Sequence, residues 1–198
     1  DYLINNTGIL GLKNGKYVHF SHDSFMEYYG ALEIFKHQRE MEHYLWENFF
    51  ETNWQNSAIF YAGKSKDLPL FLEKVIEKLK SAKQLNEFYL GVIGCGYILQ
   101  ALYQTDNKLR KIAVDEALRL NIMAHELMMK LSSDNPVLFK NYKLPILYLM
   151  NLLYFYENFN SITLRDALRM SFADHYKQYE IDKTNTTTGY KALKLAFT

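Results

Sequence analysis

The chain carries almost no punctuation. Its 198 residues include only three prolines and nine glycines, whereas a β sandwich or barrel needs a turn roughly every ten residues. Long helices need far fewer. With 48% hydrophobic residues there is enough apolar material to line several of them, and a chain of this length buries roughly 70% of its unfolded surface. The expected fold is therefore all-α, made of helical pairs or a HEAT-like helical array, with one short exception at the N-terminus.

That exception is a β-hairpin. Ile9 to Leu12 and Lys16 to Phe20 are short apolar-bearing runs on either side of Lys13-Asn14-Gly15, and Asn-Gly tolerates the positive φ of a tight turn. Helical periods follow. The first helix runs from Ser24 to about His37, with Phe25, Tyr28, Tyr29, Leu32 and Phe35 on one face and a capping-box spacing at Ser24 and Glu27. Glu40 to Phe50 makes a second, with Tyr44, Leu45 and Phe49 inward. Asn53 caps a third, Trp54 to Ala62, closed by Gly63. Asp67 and Pro69 open a fourth to Leu79, apolar along Leu68, Leu72, Val75 and Ile76, with Lys74, Glu77 and Lys80 on a solvated side. Asn86 to Gln104 contains Gly91, Gly94 and Gly96, which predicts a close helix crossing or a break.

Leu109, Ile112, Ala113, Leu120, Ala124, Leu127, Met128 and Leu131 mark the next helix, stopped by Ser132-Ser133-Asp134-Asn135-Pro136. Pro145 opens Ile146 to Tyr156, apolar nearly all round and so expected to be central, yet too short to span a bilayer. A final helix, capped by Ser161 or Thr163, turns Leu164, Leu168, Phe172 and Tyr176 inward. Asp182 to Gly189 reads as a polar linker, with Tyr190 to Phe197 beyond it.

Where the hairpin meets the first long helix, His22 stands at an elbow. A helix N-terminus exposes unpaired N–H groups and the positive end of its dipole, a corner suited to phosphate. Tyr17 leads into Val18-His19-Phe20-Ser21-His22-Asp23-Ser24-Phe25-Met26-Glu27-Tyr28, with Gly30-Ala31 following. This stretch resembles the end of the winged-helix domain in NACHT-type STAND NTPases, nucleotide switches that include animal inflammasome receptors and many bacterial defence proteins. Trp54 to Gly63 is similar, more loosely, to that family's next helix, which ends in Ala-Gly.

The resemblance implies that the hairpin is the wing closing a winged-helix domain at residues 1–23. A helical regulatory or sensor domain would occupy 24–181, and a polar linker with a C-terminal segment 182–198. It also implies that His22 contacts the terminal phosphate of bound ADP in the resting state, in the intact protein only. No Walker A or Walker B segment stands between Asp1 and the motif, so ATP or ADP is expected in a parent protein and no cofactor, catalytic residue or metal ligand in this chain. It is not expected to be an enzyme by itself. The abrupt opening at Asp1-Tyr2-Leu3-Ile4, without a start methionine or signal-peptide pattern, suggests an excised piece.

Other chemical motifs fail on inspection. Ala58 to Ser65 fits a relaxed P-loop pattern, but the loop would be the bulky Ile59-Phe60-Tyr61-Ala62, and Pro69 follows where the P-loop helix should run. Gly91-x-x-Gly94-x-Gly96 has the dinucleotide glycines in reversed order and no preceding strand. His125-Glu126 begins a zincin-like motif, but Met129 fills the second histidine position. His37 and His43, six apart, fall on different helix faces. Cys95, the single cysteine, lies in an apolar helical context and is expected to be a buried structural thiol in a reducing, cytoplasmic setting.

With 23 basic and 22 acidic residues the net charge is +1, which gives no electrostatic case for nucleic acid or an anionic membrane. The 16 tyrosines and 13 phenylalanines lack the interleaved basic residues of a base-stacking surface and read as core and interface material. The functional expectation is the C-terminal regulatory part of a NACHT-like switch. Its partners would be its own NTPase core and a protein trigger or effector, with an oligomer in the activated parent. The alternative is a free-standing helical scaffold that binds a protein partner without nucleotide.

Overall fold

The computed structural model describes residues 2–134 and 162–181; the expectations for Ile146 to Tyr156 and for 182–198 lie outside them. The fold is all-α with one N-terminal hairpin. In chain order the elements are α1 (Tyr2–Asn5), β1 (Leu10–Lys13), β2 (Tyr17–Phe20), α2 (Asp23–Lys36), α3 (Gln38–Met41), α4 (His43–Glu47), α5 (Thr52–Ser65), α6 (Pro69–Lys80), α7 (Leu85–Ala101), α8 (Asn107–Asp134) and α9 (Ile162–Ile181). The strands pair antiparallel, Leu10 opposite Phe20 and Lys13 opposite Tyr17. Asn14 and Gly15 turn the chain at φ 56° and 67°, the mirror-image turn that matches strand twist.

Helix α7 is the axis of the core. It packs against α5 on one side and α8 on the other; α2 lies outside α5, α9 against α8, and α6 against α8 and α4. Phe49, Tyr61, Phe71, Leu72, Ile98, Leu99 and Leu118 are fully buried at the centre. Two glycines let α7 sit so close. A Cβ on Gly91 would lie 2.6 Å from Leu120 Cδ1, and one on Gly94 would lie 2.3 Å from Gln55 Nε2. The glycines thus mark a crossing, and the helix runs through them unbroken.

Gln55 is pinned at that crossing. Its amide nitrogen donates to the carbonyls of Phe49 and Leu90, each at 2.9 Å, which uses both of its hydrogens. A second long-range tie starts α6. The Thr105 hydroxyl, 3% exposed, donates to Asp67 Oδ1 at 2.9 Å and accepts from the Leu68 N–H at 3.3 Å. The cap of α6 therefore comes from beyond α7, and Pro69 fills the first helical position, where no N–H is needed.

Several local expectations are corrected. The N-cap of α2 is His22, not Ser24, and Glu27 does not return to the cap: it is buried and accepts from Asn56 Nδ2 on α5 at 2.9 Å. The long-range partner outcompetes the local one. The buried stripe of α2 is consequently Glu27, Ala31 and Ile34, while Tyr28 and Tyr29 are exposed. The capping box lies instead at Gln84 and Glu87 on α7, unseen because glutamine is a rare N-cap.

The single helix expected over Glu40 to Phe50 is two short ones. Asn48 ends α4 by donating its side-chain amide to the Tyr44 carbonyl at 2.9 Å, the local competition with helix that asparagine offers. Leu45 and Phe49 are buried as expected, but Tyr44 is exposed, its ring 4.0 Å from that of His43. Helix α5 starts at Thr52 with Glu51 as N-cap, runs through Gly63, and ends with Lys66 in the left-handed region at φ 68°. The reason is tertiary: Gln104 N donates to the Lys66 carbonyl at 3.1 Å and holds the chain there.

Helix α7 ends at Ala101, and α8 continues through Ser132 and Ser133 to Asp134. Ile112 and Tyr176, expected inward, are exposed. Phe172 packs against the core, whereas Ser161 and the side chains of Leu164 and Leu168 lie outside what the structure describes. Thr163 falls inside α9 rather than ahead of it.

Candidate functional site

His22 occupies the elbow that the sequence assigns to it. Its backbone is extended (φ −137°, ψ 142°), its carbonyl accepts from Phe25 N at 3.1 Å, and its side chain makes no capping hydrogen bond. The imidazole is exposed and faces the Phe25 ring, at 5.9 Å between centroids. Asp23 follows at the first helical position. Its carboxylate already complements the helix dipole, so an incoming phosphate would find its donor in the His22 ring more than in the amides beside Asp23.

The hairpin ahead of His22 is thinly supported. It touches the helical body through β2 and α2, chiefly where Phe20 stacks on Tyr29 at 6.1 Å. Leu12, Tyr17 and Val18 remain 49%, 69% and 57% exposed. An isolated two-stranded hairpin is marginal in water; in this one Leu12 and Val18 are cross-strand partners on one face, and Tyr17 lies on the other.

The remaining motifs resolve structurally. Ala58 to Ser65 is continuous helix inside α5, and Gly91 to Gly96 lies inside α7. Cys95 is fully buried, its Sγ donating to the Ala113 carbonyl at 3.5 Å. His37 Nε2 pairs with Glu33 Oε1 at 3.1 Å on the surface. Lys36 and His37 together hold the Glu33 carboxyl below its usual range. Burial lowers the pKa of His125, whose Nδ1 has no partner. Lys74 and Glu77 form the expected exposed ion pair at 2.8 Å. Among the described residues no group of three metal-ligating side chains converges and no helix is long and apolar enough to cross a membrane.

Sequence reasoning missed a polar clamp between α8 and α9. Asp115 accepts from the buried Ser171 hydroxyl and from Lys111 Nζ at 3.0 Å, and Lys111 also reaches Asp174 at 3.1 Å. His175 Nε2 stands 3.4 Å from Asp115 Oδ1. The spacing of Ser171 and His175, one helical turn apart, was the available signal. The serine hydroxyl and the histidine ring both face the aspartate, and the cluster ties α8 to α9. Nearby, Arg110 is fully buried, with Nη1 donating to Asn107 and two nitrogens unpartnered. Burial lowers its pKa and the charge of Asp166 on α9 raises it.

The clamp predicts a pH response. Burial pushes the Asp115 carboxyl up, but His175, Ser171 and Lys111 together pull it below its ordinary value. A depressed carboxylate stabilises the fold above its unfolded pKa of about 3.9 and loses that contribution as pH falls through the folded value. Asp115→Asn should therefore cost roughly 1–3 kcal/mol at pH 7, and the difference from wild type should shrink below about pH 4. Urea unfolding of both proteins across pH 2.5–7 checks this; a difference independent of pH would remove Asp115 as the titrating group.

The chain matches no family model, no curated protein and no solved structure.

Proposed function

We propose that this chain is the regulatory helical part of a NACHT-like STAND NTPase, entered through the last hairpin of a winged helix. The observation that carries the reading is His22, exposed at the elbow between β2 and α2 with its ring uncommitted to capping. The exposed pair Leu12 and Val18, on one face of the hairpin, supports it, because a wing needs the body of its domain to cover such a face. In this reading the parent protein holds ATP or ADP on an NTPase core, His22 touches the terminal phosphate of ADP, and the helices restrain the core until a protein trigger engages them.

Two tests bear on it. The reading frame upstream of Asp1 should encode a Walker A and Walker B pair within a few hundred residues, and a frame without them ends the proposal. The isolated chain should neither bind nor hydrolyse nucleotide, since catalysis of phosphoryl transfer needs a phosphate cradle and magnesium-holding carboxylates beside the histidine. Calorimetry with ATP and with ADP, each with Mg²⁺, should give no heat of binding; micromolar affinity would place a nucleotide site within these residues and overturn the division of labour.

A further inference from the structure

We infer that the notch between α2, α5 and α7 binds a small organic acid with an apolar body. The cavity measures about 530 Å³, within the range of roughly 300–1,000 Å³ that small-molecule sites occupy. Its walls are apolar and aromatic: Leu32 and Tyr28 from α2, Ile59 and Phe60 from α5, and Tyr97 from α7. Tyr28 and Phe60 meet edge to face at 5.6 Å, so two of the aromatic walls brace each other before anything binds. Gly63, exposed, leaves the mouth open, since a Cβ there would meet nothing within 4 Å.

One charged group gives the notch a sign. Lys64 lines the same notch, exposed and without an ion pair among the described residues, and no carboxylate joins it in the lining. Aromatic walls alone would also suit an organic cation. Lys64 repels one and attracts a carboxylate. A fatty or arylalkanoic acid pairs its carboxylate with Lys64 and fills the apolar walls.

The inference concerns residues of this chain alone and does not rest on the switch reading. Decanoate, titrated into the ¹⁵N-labelled chain and followed by amide shifts, is the probe, with decylammonium as its cationic counterpart. Decanoate should give saturable shifts confined to α2, α5 and α7, with decylammonium at least tenfold weaker. Lys64→Gln should weaken decanoate by about tenfold, the loss of one charge-assisted hydrogen bond. Gly63→Leu should abolish binding while leaving the fold intact, because the open mouth tolerates the added side chain. No saturable shift at millimolar decanoate, equal binding of the two probes, or wild-type affinity in Gly63→Leu overturns the site.

Discussion

Gly94→Ala should destabilise the chain by about 3 kcal/mol, through overpacking and the loss of buried hydrogen bonds. The added methyl would stand 2.3 Å from Gln55 Nε2, and Gln55 cannot swing aside cheaply. Its amide holds the Phe49 and Leu90 carbonyls at the crossing of α5 and α7, so moving it strands two acceptors. Gly91→Ala meets flexible leucine ends instead, at Leu120 and Leu79, and should cost less, about 1–2 kcal/mol. Gly63→Ala supplies the opposite sign: it lies inside α5 with open space around it, and alanine should stabilise the helix by about 0.5–1 kcal/mol. Urea unfolding of the three variants gives the ranking directly. A Gly94→Ala protein as stable as wild type would mean that α5 and α7 do not cross at this distance.

If the chain is part of the switch proposed above, His22→Ala in the intact protein should raise activity in the absence of trigger by roughly 10- to 100-fold. One charge-assisted hydrogen bond to phosphate contributes about 1.5–3 kcal/mol, and a two-state switch losing that bias shifts its active fraction by the corresponding factor. The fold should barely notice, because the His22 ring is exposed and caps nothing. Basal signalling or toxicity of the full-length protein in cells, beside the melting temperature of this chain, separates the two effects. Unchanged basal activity, or a large fall in melting temperature, would return His22 to a purely structural part in the elbow.

The long helices were legible because their periods are strong and local. Leu72, Val75, Ile76 and Leu79 predict a buried face for α6 and form one, and Asn14-Gly15 places the hairpin turn. What sequence could not supply were decisions made by distant partners. Glu27 reads as a capping residue until Asn56 takes its carboxylate, and Gly63 reads as a helix end until Gln104 fixes the end at Lys66. The elbow histidine was visible because strand, turn and helix meet there within a few residues. The notch was not, since Tyr28, Gly63, Lys64 and Gln100 converge only when three helices have packed.

The Thr105 tie at the start of α6 has a meaning for biosynthesis. Leu68 leaves the ribosome 37 residues before the hydroxyl that will receive its N–H. At about 5–20 residues per second, α6 waits roughly 2–7 seconds with an open end. During that interval it is a nascent helix with a polar gap, free to fray or to be held by a chaperone. Arrival of Thr105 closes the gap only if α7 has already folded back along the core. The bond thus forms only after the segment beyond α7 has emerged, and it ties the start of α6 to that later segment.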